Sequence, residues 1–112
     1  HIPQNTSKAL VKAKKNMINV IGVGSTTTRV LESVDMSSLI PGEASGWTDR
    51  YIYPGQHFNM VDHMLTNFHL PKSTLYILVC AFAGKTLIEE AYMEAIKHNY
   101  RFFSYGDAML IL

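Results

Sequence analysis

Apolar positions along this chain follow two rhythms, and each predicts an element. In NTSKALVKAKKN (residues 5–16), Leu10 and Ala13, with Met17 just beyond, recur at helical spacing. The stretch predicts a helix with Thr6 or Ser7 as its cap. MINVIGV, residues 17–23, is a short run rich in β-branched residues and predicts a buried strand ended by Gly24. Ser25-Thr26-Thr27-Thr28 then opens a second helix, TTTRVLESV. Residues 35–50 are rich in Ser, Gly and Pro and predict an irregular loop, with turn signals at Ile40-Pro41-Gly42 and Ser45-Gly46. Beyond it, Arg50 to Tyr53 predicts a strand stopped by Pro54-Gly55. Phe58, Met60 and Val61 suggest a short extended piece, and Met64 to Phe68 another short strand.

Leu75 to Ala83 has no polar interruption, and periodicity alone does not separate strand from helix there. The flanks favour a helix, because Ser73 or Thr74 fits an N-cap and Gly84 a C-terminus. A helix apolar on every side is expected to be buried on every side. From Thr86 to His98, Ile88, Ala91, Tyr92, Ala95 and Ile96 take one face of a helix, with Glu89, Glu90, Glu94 and Lys97 opposite. A turn at Ser104-Tyr105-Gly106-Asp107 leads to a final buried strand, Ala108 to Leu112. Helices alternating with strands point to an α/β fold, with a partial mixed or mostly parallel sheet flanked by helices.

Composition adds one constraint. Of 112 residues, 47% are hydrophobic and 17% charged, against ~25% charged in a typical domain. Such a chain is expected to need more cover than its own elements supply, from a further domain or a subunit. The net charge of +1 gives no global electrostatic case for nucleic acid. The single Cys80 excludes an internal disulfide, sits in an apolar run as a structural thiol, and fits a reducing, cytoplasmic compartment. The run from Leu75 to Ala83 is too short to span a bilayer, which takes ~20 residues, so no membrane association is expected. No signal-peptide pattern is visible.

Three constellations could carry chemistry. Gly22-Val23-Gly24-Ser25-Thr26-Thr27-Thr28-Arg29 joins a glycine turn to a helix start, where amides, hydroxyls and the helix dipole favour an anion. It lacks the Lys of a phosphate-binding loop and the third glycine of a dinucleotide fold. The same hydroxyls could simply cap a helix. In the second, Asp62-His63 precedes Thr66-Asn67-Phe68-His69, with Asn67 and His69 sharing a face at the carboxyl end of a strand. Ligands of open α/β sheets bind at such ends, but the two side chains could equally satisfy loop backbone. No metal-ligand spacing is present. The third is Tyr100-Arg101-Phe102-Phe103, whose aromatics could stack bases or fill a core. Lys8, Lys12 and Lys15 fall near one another on the first helix, as a solvated face or a contact to a phosphate backbone.

Taken in order, GSTTTRVLES, IYPG with Phe58 and Val61-Asp62, TNFHLPKSTL, LVCAFAG, AYMEAI and YRFFSYGDAML resemble one family, the S-adenosylmethionine:tRNA ribosyltransferase-isomerases of queuosine biosynthesis. Ser25 stands where the family usually has threonine, Thr28 where it has an apolar residue, and Gln56-His57 where it tends to be aromatic or apolar. The resemblance is to the C-terminal part of much longer members and omits their inserted β-barrel domain. The rest of the family's chain is therefore expected to be needed, and the fragment alone to be inactive. The resemblance implies transfer and isomerisation of the ribosyl part of S-adenosylmethionine onto 7-aminomethyl-7-deazaguanine in a tRNA. The products are epoxyqueuosine, adenine and methionine, and no tightly bound cofactor is implied. By hypothesis His69 moves a proton and Asn67 lines the pocket with it. Thr26 and Thr27 take the methionine carboxylate or a ribose hydroxyl. Arg29 pairs with that anion or with Glu32 or Asp107, and Asp62 meets the sulfonium or an amino group. The alternative is a small α/β nucleotide- or RNA-binding module without catalysis.

Overall fold

A computed structural model describes residues 1–35 and 42–112. Seven elements follow one another: α1 (Gln4–Lys15), β1 (Ile21–Val23), α2 (Ser25–Glu32), β2 (His63–Asn67), α3 (Thr74–Ala83), α4 (Lys85–Lys97) and β3 (Ala108–Ile111). The strands form one mixed sheet in the order β1-β2-β3. β1 runs parallel to β2, with Gly22 opposite Met64, and β3 runs antiparallel, with Met64 opposite Ile111. The fold is α/β, as the alternation of helices and strands predicts.

One sheet face carries Gly22, Met64, Thr66 and Ile111 and is covered by helices. Met64, Ile111 and Phe68 pack with Leu78, Val79 and Cys80 of α3 and Ile88, Tyr92 and Ala95 of α4. A second cluster joins Leu10 of α1 and Leu31 of α2 to Ile2, Met60 and Val61. On the other face, Ile21, Val23 and Leu110 are each more than half exposed. That bare apolar face matches the shortage of cover expected from the composition.

α3 is covered only in part, not buried on every side: no residue from Leu75 to Ala83 is exposed, but only Leu78, Val79 and Cys80 are fully buried. The Tyr76 amide donates to Ser73 Oγ at 3.1 Å, so Ser73 is the cap. Gly84, at φ 87°, both ends α3 and starts α4, a conformation that side chains disfavour. Cys80, on α3, is buried, and burial pushes its thiol up.

Four further expectations need correction. Pro3, not Thr6 or Ser7, stands at the start of α1. Proline fits there because its missing N–H would have no helical partner. The first strand is confined to Ile21–Val23, because Asn16 and Met17 are used to turn out of α1, with Met17 at φ 52°, and it is not a buried strand, since only Gly22 is buried. Arg50 to Tyr53 pairs with no strand among the described residues. Ile52 drops into the core while Tyr51 and Tyr53 stack outside it, centroids 6.2 Å apart, and Pro54 with Gly55 at φ 97° turns the chain away. β3 is half-buried: of its four residues only Ile111 is buried. Residues 36–41, including the Ile40-Pro41 turn signal, lie outside the described residues.

α2 is tied to the chain entering β2 by a buried carboxylate. Glu32, 4% exposed, ends α2. Its Oε1 accepts from the amides of Met60 (2.9 Å) and Val61 (2.8 Å), and its Oε2 from that of Asn59 (2.8 Å). At the other end of α2 the helix lies close on β1. A Cβ on Gly22 would come within 2.6 Å of Thr28 Oγ1 and 3.0 Å of Val61 Cγ1. Glu32→Gln sets a side-chain NH2 against buried amide donors and is expected to cost about 2–3 kcal/mol. Gly22→Ala forces α2 off the sheet, for about 1–3 kcal/mol. Denaturant unfolding of both variants checks this, and wild-type midpoints would contradict it.

Candidate functional site

Gly24 closes β1 with φ 89° and ψ 145°, a region open in practice only to glycine. Its amide donates to Leu65 O at 2.8 Å, which fastens the turn to β2, and its carbonyl accepts the first bond of α2 from the Thr28 amide at 3.1 Å. Glycine at the cap position has no side chain to offer. The Ser and Thr residues therefore stand inside the first turn rather than before it, and no side chain caps the helix. The amides at the start of α2 lack helical partners, and the positive end of the helix dipole adds to them. Thr26 and Thr27 are exposed there.

This helix start forms one wall of a cleft of about 490 Å³ at the carboxyl ends of β1 and β2. Thr66, Asn67, His69 and Leu70 form the floor, and Phe103 and Ser104, just before β3, the far wall. The cleft lies where open α/β sheets bind ligands.

His69 is held at both ends. Its amide donates to the Tyr92 hydroxyl at 2.9 Å, and its Nε2 lies 2.9 Å from Thr66 Oγ1. Burial lowers its pKa below the ordinary histidine value, so the ring is neutral at neutral pH. Thr66, itself buried, is a site residue that sequence reasoning passed over. Its only signal is the Thr-x-x-His spacing at a strand end. Asn67 lines the cleft, but its Nδ2 donates to the carbonyls of Gly106 (3.4 Å) and Asp107 (3.3 Å). Asn67 thus both lines the cleft and satisfies loop backbone.

Two other candidates are not brought to the cleft. Asp62 stands before the first residue of β2, at the opposite end from Asn67. Its carboxylate accepts from Lys14 Nζ at 2.9 Å and from the Val20 amide at 2.8 Å. Burial opposes the charge, but these two partners outweigh it and hold the carboxyl below its usual range. Asp62 joins α1 to the sheet instead of working beside His69. Arg29 lies further along α2, outside the cleft lining. It forms no ion pair with Glu32 or Asp107: the first serves three amides and the second pairs with Arg101 at 3.4 Å. Among the described residues, Arg29 Nε is buried without a hydrogen-bond partner.

The chain thus presents an open α/β sheet with a polar helix start and a hydrogen-bonded imidazole lining one cleft. A family profile described as "Queuosine biosynthesis protein" matches residues 1–111. The S-adenosylmethionine:tRNA ribosyltransferase-isomerase of Natranaerobius thermophilus is 54% identical over 98% of the chain and 32% of the relative. The enzyme of the same name from Coxiella burnetii (strain RSA 331) is 57% identical over 92% of the chain and 30% of the relative. A crystal structure described as S-adenosylmethionine tRNA ribosyltransferase from Thermotoga maritima superposes with a TM-score of 0.90 at 49% identity. That match covers 99% of this chain and 39% of the other. The chain belongs to the queuosine biosynthesis protein family, and it spans about a third of the length of the curated relatives it matches.

The lowered pKa of His69 has a defined consequence. Below its ordinary value, about 6.5, the unfolded chain binds a proton that the folded chain resists. Stability from this residue is therefore intact above that pH and falls as the pH drops through it toward the folded value. An NMR titration should put the His69 midpoint below the ordinary value; a midpoint at or above it would contradict this account of the ring.

Proposed function

We propose that this cleft is the part of an S-adenosylmethionine site that receives the ribosyl donor. The full-length protein carrying this sequence transfers and isomerises the ribosyl moiety of S-adenosylmethionine onto 7-aminomethyl-7-deazaguanine at the tRNA wobble position. Epoxyqueuosine forms, and adenine and methionine leave. The observation that carries this reading is the pairing, across one cleft, of the uncapped α2 start with a neutral, hydrogen-bonded His69.

The two walls suit the two ends of this ligand. A carboxylate is a good partner for free amides and hydroxyls at a helix start, so Thr26 and Thr27 bind the methionine carboxylate or a ribose hydroxyl. The sulfonium beside them is a fixed positive charge. A protonated imidazole in the same cleft would repel it, whereas the half-buried neutral ring of His69 does not. Neutral His69 is also in the state that accepts a proton, and the reaction begins with loss of a proton next to the sulfonium. Thr66 orients the ring through Nε2, and Asn67 fixes the carbonyls of residues 106 and 107 beside it. Asp62 and Arg29 have no part in this reading, because neither lines the cleft.

The test uses full-length protein, S-adenosylmethionine and a tRNA bearing the deazaguanine base, with released adenine as the readout. His69→Ala is expected to lower adenine release about 100-fold or more, within the range for a proton-transfer group. Near-wild-type release by this variant would remove His69 from the chemistry. A Thr26→Val/Thr27→Val double variant should raise the apparent Kd for S-adenosylmethionine; an unchanged Kd rules out the two hydroxyls as ligand contacts.

A further inference from the structure

The aromatic run before β3 divides in two. Phe102 packs against Phe68 (centroids 5.4 Å apart) and Tyr92 (5.8 Å), and Tyr100 against Phe68 (5.9 Å). Phe103 does neither. It is 58% exposed, lines the cleft, and stacks on no other ring among the described residues. Its backbone is in the left-handed region, φ 71°, where a bulky side chain is a genuine outlier.

That conformation is imposed by the surrounding loop. The Phe103 amide donates to Phe68 O at 3.0 Å, and the Gly106 amide donates to Phe103 O at 2.9 Å. A Cβ on Gly106 would collide with the carbonyl oxygens of Arg101 and Phe102, so the turn closes only around glycine. Asp107 Oδ2 accepts from the Arg101 amide at 2.7 Å, and Asn67 anchors the carbonyls of Gly106 and Asp107. Strained residues over-determined in this way cluster at ligand clamps.

The sheet order then sets the order of the stations that a ligand across the cleft would meet. The helix start follows β1, His69 follows β2, and Phe103 precedes β3, whose first residue, Ala108, is opposite Asn67. Neighbouring strands are about 4.8 Å apart, so these three stations span roughly 10 Å across the sheet. S-adenosylmethionine presents carboxylate, then sulfonium and ribose, then purine. We infer that Phe103 is the stacking platform for the purine, and that it belongs to the binding machinery. This rests on the proposed S-adenosylmethionine site and assigns its third station. Stacking on one exposed aromatic face fits a planar heterocycle, and Phe103 lines the same cleft as His69.

The test measures Kd in the full-length protein for two probes, S-adenosylmethionine and 5′-methylthioadenosine, which keeps purine and ribose but lacks the carboxylate. Phe103→Gly relieves the backbone strain while removing the ring, so its Tm should be unchanged or higher. Its affinity for both probes should fall about tenfold or more. Phe103→Tyr keeps the ring and should stay within about threefold of wild type. Wild-type affinity of Phe103→Gly for 5′-methylthioadenosine, or an equal loss in Phe103→Tyr, overturns the purine platform while leaving the site itself standing. Failure of wild-type protein to bind S-adenosylmethionine overturns the site and the platform together.

Discussion

The Glu32 carboxylate, buried against three consecutive amides, is the contact on which the arrangement of this chain depends. A buried carboxylate is costly unless its oxygens are satisfied, and here the amides of residues 59–61 satisfy it. The same bond meets the needs of the chain, because those amides sit in an irregular segment with no ladder of their own. It joins the carboxyl end of α2 to the residues that lead into β2. Since α2 starts where β1 ends, the bond also sets the start of α2 beside the far end of β2. Gly22 completes the constraint by letting α2 approach the sheet closely enough for Thr28 Oγ1 to occupy the space of a side chain.

The cleft follows from that geometry. A parallel β1-β2 pair puts two carboxyl ends together, and the antiparallel β3 brings the loop before it to the same edge. Three unrelated loops therefore meet over the strand ends. Each is made rigid by its own device: a glycine-only turn at Gly24, the Thr66–His69–Tyr92 hydrogen bonds, and the loop closed by Gly106 and anchored by Asn67. Rigid walls suit a ligand that must be held at several points while its bonds change. Asp62 and Lys14 work at the opposite edge, fixing α1 to the sheet.

Much of this was legible in the sequence, for identifiable reasons. α3 and α4 were readable because an unbroken apolar run and an amphipathic repeat have a Ser cap and a shared Gly84 as boundaries. His69, Thr26 and Thr27 were readable as candidates because a strand end and a glycine turn are local patterns. What could not be read depends on pairing between distant segments. Tyr51-Ile52-Tyr53 has a strand's alternation, yet Ile52 fills the core without any strand beside it. Glu32 and Asp62 look like solvent-facing or catalytic carboxylates until the amides that bind them, 27 to 42 residues away, are known. Thr66 was passed over because nothing in the sequence shows it turning toward the His69 ring. The aromatic run from Tyr100 to Phe103 was read as base-stacking or core, and only the backbone separates Phe103, left-handed and exposed, from its packed neighbours.

The central claim is that a single cleft, built from the ends of all three strands, holds the ribosyl donor in one orientation. A crystal structure of the full-length protein with S-adenosylhomocysteine tests it most directly. The account predicts the amino-acid carboxylate at the amides of Thr26 and Thr27, the thioether near His69, and the purine against Phe103. A ligand bound with its purine at the α2 start, or bound outside this cleft, would contradict it.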